Sequence, residues 1–245
     1  MLHAARTFSL IQHVVVRGRN AKGYCTDTGV KIRDQLRALL RETAQSVAVV
    51  TSLMHPGIYP KDSSIVYHGA TLSSFTSIAM DPCPLVTFSL RTPSRMATSL
   101  KSAQPCLSSH MVINILSAEQ SSAATQFSRP DLYPEPFSSI PYFLNSEGLP
   151  ILEGSLGALS CQMARTLPLH DLDFLEKRSE VPKEVALQRG GVGSELFIAR
   201  VVRVEESQSQ GKEVEVGQRK MLPLLYHRQG FTSCGTPLHS KLKNS

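Results

Sequence analysis

Four hydroxyl side chains crowd around one phenylalanine in the stretch GATLSSFTSIAMDP, residues 69–82. Ser73, Ser74, Thr76 and Ser77 flank Phe75, Thr71 stands just ahead, and no charge appears before Asp81. A serine nucleophile needs a strained Gly-x-Ser-x-Gly turn, or a base with an orienting acid, and neither is local. Hydroxyls along a strand can instead bond an uncharged ring or a phosphate, with backbone N–H groups as further donors. The same composition also makes an exposed Ser/Thr-rich edge strand. In SLRTPSRMATSL (89–100), Ser89, Arg91, Ser94 and Arg95 gather hydroxyls and two guanidiniums just ahead of a helical segment. A helix start with arginines is an anion site; an ordinary capped helix with solvated arginines has the same sequence.

Asn114 stands between isoleucines in VINILSAEQ (112–120). If buried, its amide must find partners, either on a ligand or on a neighbouring strand. Tyr226 and His227 end the apolar run of PLLYHRQGF (223–231). A histidine at a barrel mouth can orient or protonate a ligand, and a surface histidine without a role fits the same position. RGGVGS (189–194) lacks the Gly-x-Gly-x-x-Gly spacing of a dinucleotide fold. His55, His68, His110 and His170 lack the pair spacing of zinc ligands, so no metal site is expected.

The elements that must carry these residues are mostly strands. KIRDQLRALLRETAQ (31–45) places Ile32, Leu36, Leu39 and Leu40 at helical spacing, a surface helix laid on a core. VAVVTSL (47–53) is β-branched and reads as a buried strand. Further strands are expected over about 66–80 (one strand or a pair of short ones), 84–90, 110–116, 154–169, 195–206 and 223–231. Short helices are expected at 92–103 and 117–128, the latter opening with Ser117 and Gln120 at capping-box spacing. Residues 54–64, the five-proline stretch 129–150, and 170–193 read as loops, and 207–220 as polar and flexible. Strands do not alternate with long helices, so the pattern predicts a closed or partly closed antiparallel barrel with helices outside it, not a doubly wound sheet.

The 245-residue chain has an ordinary globular composition, 41% hydrophobic and 19% charged. Its net charge of +6 is concentrated at the start, where residues 1–26 hold Arg6, Arg17, Arg19 and Lys22 and no acid. That distribution argues against a nucleic-acid partner, which calls for a basic stripe on a folded face. No apolar run approaches the roughly 20 residues of a membrane span, so no membrane partner is expected. An acid-free, Arg-containing start resembles a mitochondrial targeting segment; a cytoplasmic chain with a disordered tail reads the same way. Residues 1–28 are therefore set apart from a domain over 29–231, followed by a loose tail over 232–245. Five widely spaced cysteines without a Cys-x-x-Cys pair point to a reducing compartment.

Taken in order, GATLSSFTSIAMDPCPLVTFSLR, PSRMATSL, MVINILSAEQSSAATQFS, GSLGALSCQM, ELFIARVVRVE and PLLYHRQGF resemble the flavin reductase-like family with the FMN-binding split barrel, over about residues 34–231. The resemblance implies a mainly β fold with flanking helices, built on a six-stranded antiparallel split β-barrel and usually a homodimer. It implies FMN, with FAD as the alternative, near the dimer interface. It also implies hydride transfer from NAD(P)H to flavin N5, with reduced flavin passed in some members to a partner monooxygenase. On this resemblance Thr71, Ser73, Ser74 and Phe75 line the isoalloxazine and ribityl chain, and Ser89, Arg91, Ser94 and Arg95 approach the phosphate. Asn114 matches the asparagine of the following strand, and Tyr226 and His227 match the terminal motif on the nicotinamide side. Cys83 departs from the Asp-Pro-Pro-Leu that is commoner at its place. Two other readings stay open: an FMN-binding electron-transfer or storage protein without NAD(P)H reductase activity, and a non-flavin interaction scaffold on the same barrel.

Overall fold

The computed structural model describes residues 22–54, 67–103, 107–169, 193–205 and 221–235. The chain divides into two units, Met1–Glu42 and Thr43–Ser245. In the first, helix α1 (Lys22–Arg41) starts before and ends before the expected 31–45. Its apolar row Ile32, Leu36, Leu39 and Leu40 is exposed. Most of the segment set apart as a targeting or disordered start, residues 1–21, lies outside the described residues, as do the expected loops 54–64 and 170–193 but for one end residue each, the expected flexible stretch 207–220, and the tail beyond 235.

The second unit is built on a seven-stranded antiparallel sheet. Its strands are β2 (Ala48–Leu53), β3 (Tyr67–Leu72), β4 (Thr76–Ala79), β5 (Leu85–Thr92), β6 (Met111–Ile115), β9 (Gly157–Pro168) and β10 (Gly193–Glu205), in the order β3-β2-β6-β9-β10-β5-β4. The two edge strands, β3 and β4, are consecutive in the chain and separated only by Ser73, Ser74 and Phe75. A flat sheet of this width would hold its edges about 29 Å apart, whereas the connector from Leu72 to Thr76 spans at most roughly 14 Å. The sheet must therefore curl until its edges meet, which is the partly closed barrel the strand pattern calls for. Of the two readings of 66–80 the structure shows the pair of short strands, the first pairing with β2 and the second with β5, which brings the curled sheet to seven strands.

Alternation fills the barrel. Ala48 and Val50 of β2, Leu72 of β3, Val86, Phe88 and Leu90 of β5, Ile113 of β6 and Phe197 and Ala199 of β10 form one buried cluster. Phe88 and Phe197 are register partners and stack at 5.4 Å. Helix α2 (Arg95–Lys101) adds Met96, Ala97 and Leu100 to the same cluster. The alternate residues Val47 and Val49 belong to a second cluster with Ala123, Ala124 and Phe127 of helix α3 (Ser121–Ser128). Burial on both faces explains why VAVVT reads as an unbroken apolar run. Burial pushes the Cys161 thiol up to about 12, so it acts as a small core hydrophobe.

A second, three-stranded sheet has the order β1-β11-β12, from β1 (Gln45–Ser46), β11 (Leu224–His227) and β12 (Gly230–Ser233). Backbone bonds from Val47 to Leu224, Leu224 to Leu116 and Leu116 to Val47, each 3.0–3.1 Å, join it to β2 and β6. The expected last strand 223–231 is thus a hairpin, turning at Arg228 and Gln229, both at positive φ (48° and 64°). The five-proline stretch also contains structure, the hairpin of β7 (Tyr142–Leu144) and β8 (Pro150–Leu152).

Candidate functional site

The connector crosses the seam of the barrel, and its side chains are sorted by strand parity. Leu72 points into the core and Phe75 packs against it. Ser73 is exposed, and its hydroxyl makes no bond among the described residues. Ser74 stitches the seam: its Oγ accepts from the Ser89 backbone N–H at 2.9 Å and donates to the Ser89 carbonyl at 3.3 Å. β3 and β5 face each other along this seam in the antiparallel sense that sets Thr76 opposite Thr87 and Ser74 against Ser89. Carried on, that sense leads along β5 to the exposed Arg91 and then to Arg95 at the start of α2, beside His68 of β3. The fold therefore brings Ser73, Ser74, Phe75, Ser89, Arg91 and Arg95 to one line. Neutral hydroxyls stand at one end and two guanidiniums at the other, and among the described residues no carboxylate pairs with either arginine.

Three of the expected contacts have other partners. The Thr71 hydroxyl donates to the Ala124 carbonyl at 2.7 Å and ties β3 to α3. That close approach requires Gly69, because a Cβ there would lie 2.6 Å from the Phe127 ring. Ser94 is the N-cap of α2, its Oγ accepting from the Ala97 N–H at 3.1 Å. Its hydroxyl fixes where Arg95 begins the helix, which is only seven residues long. Asn114 is fully buried. Its Nδ2 donates to the Val49 carbonyl (3.2 Å) and to Thr51 Oγ1 (3.3 Å), and its Oδ1 accepts from the Leu152 N–H (2.9 Å). Of the two readings of Asn114, the structure shows the strand clasp: it binds β2, β6 and β8 together.

Tyr226 and His227 sit on β11. Tyr226 pairs with Gln45, is 37% exposed, and packs edge-on against Phe231 at 5.7 Å. Since Ala48, at the start of β2, is the register partner of Leu72, β1 and β11 lie toward the same end of the sheet as the connector.

Sequence reasoning missed the other end of the seam. There a cleft of about 250 Å³ is walled by β3, α3, Arg95 and the proline-bearing segment 130–138, with His68, Gln126, Phe127, Tyr133 and Glu135 among its lining. Burial and then the positive charge of Arg95 hold the His68 imidazole below its ordinary pKa, favouring the neutral ring. Strand parity could have placed His68 with Ala70 and Leu72, but nothing in the sequence indicates that residues 130–138 fold back over it.

A family model described as "Flavin reductase like domain" matches residues 40–235. The FMN reductase (NADH) SmoA of Agrobacterium fabrum is 31% identical over 96 residues, 39% of this chain and 50% of that protein. This chain thus matches half the length of that relative. An NADH-dependent flavin reductase of a Rhodococcus species is 30% identical over 136 residues, 56% of this chain and 68% of that protein. The solved styrene monooxygenase flavin reductase of Pseudomonas putida S12 superimposes with a TM-score of 0.56 at 22% identity, over 82% of this chain and 98% of its own, a likeness of fold.

Proposed function

The chain belongs to the flavin reductase-like family, and from that premise we propose that it is an oxidoreductase that binds FMN along the β3–β5 seam and reduces it with NADH or NADPH. The observation that carries the reading is the seam itself: the open Ser73 hydroxyl and a hydrophobic anchor at one end, and at the other two guanidiniums with no carboxylate partner among the described residues. A flavin mononucleotide has that polarity, a largely neutral ring system joined to a phosphate, so the residues present fit the group.

Ser73 offers its hydroxyl to the polar edge of the ring. Ser74 holds the connector to β5 so that Ser73 and Ser89 face the same groove, and Phe75 anchors the connector in the core. Arg91 and Arg95 bind the phosphate, with the position of Arg95 fixed by the Ser94 cap. Thr71 and Asn114 act at one remove, by holding α3 and β8 against the sheet. Tyr226 and His227, at the connector's end of the sheet, flank the approach of the nicotinamide. When bound, the flavin supplies the hydride-accepting chemistry, and the chain needs no acid–base pair of its own.

A second copy of the chain completes the site in this reading. β4 is an edge strand that adjoins the connector, and it carries exposed apolar side chains at and just beyond its end, Ile78 and Met80. A partner covering that edge removes a pairing hazard and closes one side of the groove. The reduced flavin is released to a flavin-dependent monooxygenase, the arrangement stated by the name of the Pseudomonas reductase.

The visible spectrum of the purified protein, recorded with added FMN and then with each nicotinamide nucleotide, tests the reading. Binding of FMN and bleaching of its yellow band by NADH or NADPH are expected. Bleaching by neither leaves a flavoprotein without reductase activity, and a folded protein that takes up no FMN removes the proposal altogether.

A further inference from the structure

Arg95 belongs to two places at once: it ends the seam, and it lines the cleft at the start of β3. A group that extends past a phosphate held at Arg95 can therefore reach that cleft. At about 250 Å³ the cleft falls below the roughly 300–1,000 Å³ usual for sites that enclose a whole drug-sized ligand, so it suits one ring system with its sugar. Its chemistry is of three kinds. Phe127 and Tyr133 present aromatic surface. Gln126 presents an amide whose orientation is set by the Ser139 hydroxyl, which donates to its Oε1 at 2.9 Å. Glu135 places a carboxylate on the same wall, the group that takes up ribose hydroxyls in dinucleotide sites.

We propose that the cleft formed by Arg95, Gln126, Phe127, Tyr133 and Glu135 is the seat of an adenylate group: purine on the aromatic wall, ribose at Glu135, phosphate at Arg95. The proposal rests on the flavin seam, since it is the seam that brings a phosphate to Arg95. Two ligands carry this group beyond a phosphate, FAD and the nicotinamide dinucleotide, and either could supply it. The segment 130–138 then acts as one wall of a binding site. Its base is held by an Arg129–Asp131 ion pair at 3.1 Å, while Tyr133 stays 40% exposed at its tip.

The test uses the full chain with FMN, FAD, NADH and 5′-AMP, and the variants Tyr133→Ala and Glu135→Ala. Both positions are exposed, so the variants should fold. Calorimetric titration gives the flavin and AMP affinities, and steady-state assays with FMN as acceptor give the KM for NADH. If FAD fills the cleft, wild type binds FAD about tenfold more tightly than FMN, and Tyr133→Ala erases the difference while leaving FMN affinity unchanged. If the nicotinamide dinucleotide fills it, FAD and FMN bind alike, AMP competes with NADH, and Tyr133→Ala raises the KM for NADH by about the same factor. The inference is overturned if FMN binds while AMP does not, and both variants match wild type with every ligand. Failure of FMN itself to bind strikes instead at the seam, so the two failures are told apart.

Discussion

Which hydroxyls and amides are free to meet a ligand is decided one residue at a time. Ser73 and Thr71 are two positions apart in the same Ser/Thr-rich run, yet one has an open hydroxyl and the other is bound to Ala124. For Ser73→Ala, loss of one neutral hydrogen bond should weaken FMN binding about two- to tenfold, and Arg91→Ala, which loses a charge-assisted bond, about ten- to a hundredfold. Both are read by titration with FMN, and unchanged affinity in the pair would remove the seam as the binding surface. Asn114→Ala should behave in the opposite way. It strips partners from the Leu152 N–H, the Val49 carbonyl and Thr51 Oγ1 in a dry core. The expected loss of folding stability is about 3 kcal/mol by urea denaturation, with FMN affinity of the folded protein unchanged. A large loss of FMN affinity without a stability loss would instead place the amide on the ligand.

At the scale of elements, the clasp that fixes the turn of the β7–β8 hairpin to β10 is ionic. Arg203 of β10 bonds Glu147 at 2.6 Å and Glu205 at 2.8 Å, and the Ser160 hydroxyl donates to Glu205 while accepting from Asn145. The Arg203 bond holds the Glu147 carboxyl below its ordinary value against the opposing effect of burial. Burial raises the Glu205 carboxyl, but bonds from Arg203 and Ser160 outweigh it and leave it lowered. A depressed carboxylate contributes stability that is complete above its unfolded value, near 4.5, and is lost as pH falls through the lower folded value. The wild type should therefore lose stability below about pH 4.5, and Arg203→Met should flatten that acid limb in urea melts taken against pH. Because the guanidinium is 39% exposed, solvent screening limits the effect at neutral pH to the order of 1 kcal/mol. An acid limb that is the same in both proteins would mean that these carboxylates are not clasped.

The elements also show what the sequence made legible. β2, β5, β6, β9, β10, α2 and α3 announce themselves through apolar runs, β-branching and caps, because burial and local hydrogen bonding act on the residues that carry the signal. The turn at Arg228–Gln229 does not, since both residues take a left-handed conformation usually signalled by Asn or Gly. The hairpin at 142–152 lies among prolines and is defined by long-range bonds to Asn114 and the β10 clasp, which no local pattern reports. The break at Ser73–Phe75 is set by closure of the whole sheet, and it determines which hydroxyls face outward. The sequence named the residues that lie along the seam, but not which of them keep open hydroxyls and which are bonded within the fold.

For the whole molecule, closure of the barrel leaves one difficulty at its seam. β3 and β4 stay edge strands because the sheet meets itself there through the connector and not through a continuous ladder. β4 is short, its four residues are mostly exposed, and Ile78 and Met80 are 48% and 68% exposed beside the connector that carries Ser73. An exposed apolar edge is stable in water when another surface covers it, and a second copy of the chain offers the same edge for a symmetric contact. The double substitution Ile78→Lys/Met80→Lys adds two charges to that edge without disturbing the buried clusters, to which neither residue belongs. Light scattering coupled to size exclusion should give a dimer for the wild type and a folded monomer for the variant, with weaker FMN binding because one side of the groove is then open to water. A wild-type monomer, or a variant that stays dimeric, would place the second copy elsewhere or remove it. A monomeric variant that binds FMN as tightly as the wild type would show that each chain completes its seam alone.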